Sequence, residues 1–162
     1  MEAYSDSFLT SLHRIDNNLY LGGILGASNS NLISRLRITS IVQILSRDAI
    51  VKKHKNIRYL EIKIDDLPSV NINRVIPDAI KFIHREMNNG GVVLIHCAAG
   101  VSRSGSVAIA YFMAKYSLNY QTALARVRKG RGCVCPNAGF ERQLKAMDVT
   151  ALKNYMNGSV LS

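Results

Sequence analysis

The stretch GGVVLIHCAAGVSRSGS, residues 90–106, restricts the fold more than any other in the chain. Its first half is apolar in unbroken succession rather than alternation, which is the pattern of a parallel strand covered on both faces, so it is expected at the centre of a sheet. Its second half is small residues leading into SGSVAIAYFMAKYS, whose near-continuous apolar character predicts a buried helix. A parallel strand cannot pair through a tight hairpin and needs helical crossovers. The rest of the chain must therefore supply alternating strands and helices.

It does. NLYLGG and ITSIVQIL read as short strands, with SNSNLISRLRI between them as a helix capped by Ser28 or Asn29. IRYLEIKI reads as a third strand and DDLPSVN as a polar loop. In INRVIPDAIKFIHREMNN, Ile76, Ile80, Ile83 and Met87 form one apolar stripe of an amphipathic helix, with Pro77 tolerable only near its first turn. NYQTALARVRKGR reads as a helix with a basic outer face. NAGFERQLKAMDVTALKNYM reads as a single last helix, capped by Asn137, with Phe140, Leu144 and Met147 inward. The motif LGGILG at 21–26 fits neither the dinucleotide nor the P-loop pattern and reads as a turn. The expected fold class is α/β, a central mostly parallel sheet flanked by helices, in one domain over residues 1–162 with a core from about 13 to 156.

Bulk properties agree. A chain of 162 residues can bury roughly two thirds of its unfolded surface without covalent staples. Apolar residues at 48% and charged ones at 20% exclude a disordered or coiled-coil chain. The apolar runs are too short to span a membrane and the N-terminus has no leader pattern. Three cysteines make no disulfide framework, so the expectation is an intracellular, cytoplasmic or nuclear protein. With 21 Lys and Arg against 11 Asp and Glu, a net +10, the surface attracts anions, and charge alone does not choose among nucleic acid, anionic lipid and phosphorylated protein. The cluster KKHK at 52–55 reads as an exposed turn or a docking patch for acidic partners.

The chemistry gathers at Cys97. A loop between the carboxyl end of a central strand and a helix N-terminus binds anions, because the unpaired amides of the first turn and the helix dipole point at it. Ala98, Ala99 and Gly100 are small enough for the backbone to curl so that the amides of 98 to 103, across Val101 and Ser102, converge on one oxyanion. Arg103 adds a planar two-point grip. The same field favours the thiolate of Cys97, which is a nucleophile toward a cradled phosphate, and Ser104 can donate its hydroxyl to the departing sulfur. An ester leaving group needs a proton, and the loop IDDLPS offers Asp65 and Asp66.

His96-Cys97-Ala98-Ala99-Gly100-Val101-Ser102-Arg103-Ser104 resembles the HC-x-x-G-x-x-R-[ST] signature of cysteine-dependent protein tyrosine phosphatases. AGVSRSGS, NLYLGG, IVQIL, VRKGR and PNAGFERQL are similar to landmarks of their dual-specificity branch, in order, over about residues 13 to 148. The resemblance implies a phosphatase of phosphotyrosine and phosphoserine or phosphothreonine in phosphorylated protein substrates, with no metal or other cofactor and no nucleic-acid partner. It implies Asp66 rather than Asp65 as the acid, His96 as an orienter of the loop, Asn137 as helix cap and tether of the loop, and Arg131 near the pocket rim, where it could engage a second phosphate. Phosphoinositide, glucan or RNA 5′-phosphate stays open as an alternative substrate class, as does a non-catalytic phosphoprotein-binding module. Cys133 and Cys135 read as small hydrophobes or as thiols able to rescue an oxidised Cys97. Oligomeric state is not legible.

Overall fold

The computed structural model describes residues 8–158; the first seven residues, expected to carry no leader, and the last four lie outside it. Five strands form one sheet: β1 (Leu12–Asp16), β2 (Leu19–Gly22), β3 (Ser40–Leu45), β4 (Arg58–Lys63) and β5 (Val93–His96), in the spatial order β1-β2-β5-β3-β4. Strands β2, β5, β3 and β4 run parallel and β1 pairs antiparallel with β2. The apolar run at 92–97 thus supplies the central strand, as its unbroken pattern requires. Parallel pairing also places the carboxyl ends of β2, β5, β3 and β4 along one edge, where open α/β sheets bind their ligands.

The register sorts the two faces. Val42 lies opposite Ile95 and faces the larger core, whereas Ile41 lies opposite Leu94 and faces a smaller one with Ala27, Ile33 and Ile38. Helices α1 (Ile24–Ala27) and α2 (Ser30–Arg35) cover the smaller side, with Asn29 capping α2 by accepting from the Leu32 amide at 3.1 Å. The larger side carries α3 (Ile76–Asn88), α4 (Arg103–Tyr116), α5 (Tyr120–Gly130), α6 (Ala138–Ala146) and α7 (Val149–Met156). Helix α4 is buried from Arg103 to Ala114, so its apolar composition reflects position in the core rather than a membrane. Among the described residues no helix is long and apolar enough to cross one.

Four elements depart from the sequence reading. LGGILG, expected as a turn, ends β2 and forms the one-turn helix α1 at Ile24–Ala27. Strand β1 has no clear alternation in LHRID and gains its pairing only from the hairpin with β2. A 3-10 turn at Ile72–Arg74 precedes α3, whose Pro77 sits in the first turn. The single last helix expected over 137–156 is two helices. Met147 is extended at ψ 137°, and Asp148 starts α7 by accepting from the Thr150 amide at 2.8 Å.

Candidate active site

Residues 97–103 leave β5 and curl into the N-terminus of α4, and the conformation of this loop is dictated from behind. Five consecutive carbonyls are held: Cys97 O by His96 Nδ1 at 3.2 Å, Ala98 O by the Ile24 amide at 2.9 Å, Ala99 O by Arg131 Nη2 at 3.0 Å, Gly100 O by Arg131 Nε at 2.8 Å, and Val101 O by the Cys135 amide at 2.9 Å. In a planar trans peptide the next N–H points opposite to its carbonyl, and no cis bond occurs among the described residues. Fixing five carbonyls outward therefore aims the amides of 98 to 102 inward. Among the described residues none of these five amides donates to a protein acceptor. Buried main-chain donors are nearly always paired, so a group of them pointed at one spot is a ready anion cradle.

The curl needs Gly100. Its φ of +70° is left-handed, and a Cβ there would collide with the Gly22 backbone and meet Arg131 Nη2 at 2.6 Å. Cys97, 2% exposed, places its Sγ 3.0 Å from the Ser104 hydroxyl. Arg103 donates through Nη1 to Ser46 Oγ and to Ile64 O, both at 3.1 Å, and its buried Nε has no partner. One edge of the guanidinium is thus clamped to the loops after β3 and β4, leaving the Nε edge free of protein acceptors. A buried donor left unmade costs about 1–3 kcal/mol, a cost that an anion bridging Nε and the loop amides removes.

Asp66 is exposed and its Oδ1 accepts from Asn137 Nδ2 at 2.8 Å. Asn137 also caps α6, accepting from the Phe140 amide at 2.9 Å, and its own amide donates to Ser102 Oγ at 2.9 Å. One residue thus joins the carboxylate, the helix and the phosphate loop, with the main-chain amide rather than the side chain reaching the loop. Gly139 makes the approach possible, because a Cβ there would strike the Pro68 carbonyl. Asp65 is exposed with no hydrogen bond or ion pair among the described residues.

Comparison with known proteins decides the family. The model of the dual specificity phosphatase catalytic domain matches residues 19–149. The chain belongs to the dual-specificity phosphatase family. Mouse dual specificity protein phosphatase 22 is 36% identical over 146 residues, covering 90% of this chain and 78% of the relative. The human protein of that name is 35% identical over 144 residues, covering 89% and 77%. The solved structure of DUSP15 superposes with a TM-score of 0.85 at 30% identity, over 92% of this chain and 96% of that one. That of the human tyrosine phosphatase-like serine/threonine/tyrosine-interacting protein gives 0.79 at 35%, over 84% and 94%.

Within this phosphatase one expected position is corrected. Arg131 is not at the rim: it is 1% exposed and lies behind the loop, where it also donates to Phe8 O at 2.8 Å and Ser11 O at 3.3 Å. A side chain so enclosed cannot reach a second phosphate; it orients the loop instead. His13 completes the nest, its Nδ1 lying 2.7 Å from Arg131 Nη1. Burial, then the Arg131 charge, holds His13 below its ordinary pKa and so leaves that nitrogen able to accept. Cys133 Sγ lies 3.9 Å from Gly100 O, and Cys135 is exposed with its amide on the loop.

Sequence reasoning missed Ser46, Gln43 and the Ile24 amide. Ser46 follows a strand end at the ligand edge, which is the one signal that could have found it. Gln43 is the neighbour of His96 in register across β3 and β5, and the two side chains lie 3.2 Å apart. Burial lowers the pKa of His96 from 6.5 to about 4, so the ring is neutral and serves as a fixed donor to Cys97 O. The sign of the linkage follows. An unfolded chain takes up this proton below about pH 6.5 and the folded one only near 4, so stability present at neutral pH is lost as pH falls through that window. The loss is about 2 kcal/mol between pH 7 and 5 and about 3 kcal/mol in all. Urea unfolding of the native protein and of His96→Asn at pH 7 and 5 checks it: the difference between them should shrink at pH 5.

Proposed function

We propose that this phosphatase works through a phosphocysteine on Cys97. The carrying observation is the loop of five inward amides with the Cys97 sulfur beside it and the free Nε edge of Arg103 next in the chain. The thiolate attacks phosphorus while Asp66 gives its proton to the departing ester oxygen. The amides of 98 to 103 and Arg103 hold the equatorial oxygens, where charge collects in a loose transition state. In the second half Asp66, now a carboxylate, takes a proton from water as the water oxygen attacks phosphorus. The phosphorus–sulfur bond breaks, inorganic phosphate leaves, and the Ser104 hydroxyl, 3.0 Å from the sulfur, steadies the returning thiolate. His96, Asn137 and Arg131 act as positioning residues. All three cysteines are free, which supports a reducing, intracellular setting in the cytoplasm.

The acid distinguishes this reading most sharply. Asp66 is favoured by its link through Asn137 to the loop, which Asp65 lacks. Asp66→Asn is expected to lower kcat by roughly 10²–10⁴ on phosphoserine peptides, whose alkoxide departs poorly. The loss should be far smaller on an aryl phosphate with an acidic phenol. Asp65→Asn should stay within a few-fold of the native protein. Steady-state rates on both substrates check this; equal losses, or a larger one at Asp65, reassign the acid.

A further inference from the structure

Among the described residues, four large apolar side chains stand exposed: Leu25 (56%), Ile50 (97%), Leu67 (51%) and Tyr155 (39%). Scattered singly, such residues call for no explanation. Here the first three lie on segments that leave the same edge of the sheet. Leu25 follows Ile24, whose amide holds Ala98 O. Ile50 follows a turn from Ser46 to Ala49, where the Ala49 amide donates to Ser46 O at 3.1 Å and Ser46 Oγ receives Arg103. Leu67 follows Asp66. Three segments leaving the carboxyl ends of β2, β3 and β4, the first of them the short helix α1, each carry one exposed aliphatic side chain within a few residues of a group tied to the site. Tyr155 belongs elsewhere, beside a cavity of about 260 Å³ with Asn73, Pro77 and Met147.

Exposed Arg47 and Asp48 follow β3, and exposed Asp65 and Asp66 follow β4. The connection after β3 runs on from Ile50 into Lys52, Lys53 and Lys55, which line a groove with Ser28 and Ser30. The geometry points to Leu25, Ile50 and Leu67 as specificity-determining residues that take aliphatic side chains flanking the phosphorylated residue of a protein segment. A phosphate seated on the loop of 97–103 brings the residues on either side of it across these three segments. Contact there removes apolar surface on both partners from water. The polyhydroxyl rings of a glucan or an inositol phosphate offer no aliphatic side chain and leave this surface wet. The inference deepens the phosphatase reading and rests on it for the position of the phosphate.

Two phosphotyrosine peptides of equal charge test it, one flanked by Leu, Ile and Val and the other by Ser, Gln and Asn. Their affinities are measured on Cys97→Ser protein, so that no turnover is needed, and their kcat/KM values on the native chain. The aliphatic peptide should bind and react about tenfold better. Adding Leu25→Ser and Ile50→Ser should bring the affinity ratio to within about twofold of unity. Equal affinities for the two peptides overturn the proposal, as does a ratio that survives both substitutions. Equal affinities together with binding to phosphatidylserine vesicles that Leu25→Ser and Ile50→Ser abolish would assign these residues to a lipid surface instead. An affinity ratio without any phosphate release would overturn the phosphatase mechanism and leave the specificity assignment standing.

Discussion

Cys97→Ser yields a folded protein whose phosphate release from any ester falls by on the order of 10⁴ to 10⁶. The fold survives because the change is nearly isosteric: the side chain is 2% exposed and its one partner, Ser104 Oγ at 3.0 Å, can bond an oxygen as well as a sulfur. Chemistry does not survive. A serine hydroxyl holds its proton far more tightly than a thiol, and among the described residues its hydrogen-bond partner is another hydroxyl and not a general base. In serine enzymes a histidine takes that proton, but here His96 Nδ1 is occupied by donating to the Cys97 carbonyl. The loop amides and Arg103 remain, so phosphopeptide binding persists while turnover stops. Steady-state rates, acid quenching for a phosphorylated enzyme and phosphopeptide titration report the three quantities separately. Turnover at the native rate ends the phosphocysteine mechanism. Tight binding without turnover in the native chain as well would make it a binding module.

The legibility of this site in the sequence divides along the distance over which each interaction acts. The unit of β5, loop and α4 was readable because its signals are local: an apolar run, small residues that let the chain curl, a left-handed glycine at 100 and an arginine whose spacing puts it at a helix start. The break at Met147 was not, because Phe140, Leu144 and Met147 continue a helical period that the Asp148 cap interrupts without changing hydrophobicity. Strand β1 exists only as the partner of β2. Arg131 reads in sequence as a cation at a helix end, and nothing local reveals that Phe8, Ser11, Ala99 and Gly100 surround it with carbonyls. The anchors of the loop come from Ile24, His96, Arg131 and Cys135, three of them distant in the chain. The nucleophile could be read directly, but the framework that aims the amides is a tertiary property.

Arg103→Lys separates charge from geometry. Lysine keeps the positive charge, so if Arg103 acted only as a point charge in the cradle, kcat would fall no more than about tenfold. The structure argues for a larger loss. Nη1 is spent on Ser46 Oγ and Ile64 O, which hold the guanidinium plane while its Nε edge meets the phosphate. An ammonium has no second edge: it can satisfy those two acceptors or the anion, not both in one geometry. Loss of a two-point grip formed in the transition state is expected to lower kcat by about 10³–10⁵, the range seen when an arginine is removed from a transferring phosphoryl group. Inorganic phosphate gives an independent readout, since a ligand bound to the folded state raises its melting temperature by an amount that grows with the logarithm of its concentration over Kd. That shift should be clear in the native protein and much smaller in Arg103→Lys. A variant that loses less than tenfold in kcat while keeping the phosphate-induced shift would show that charge alone suffices, and that the clamp through Ser46 and Ile64 serves the fold and not the reaction.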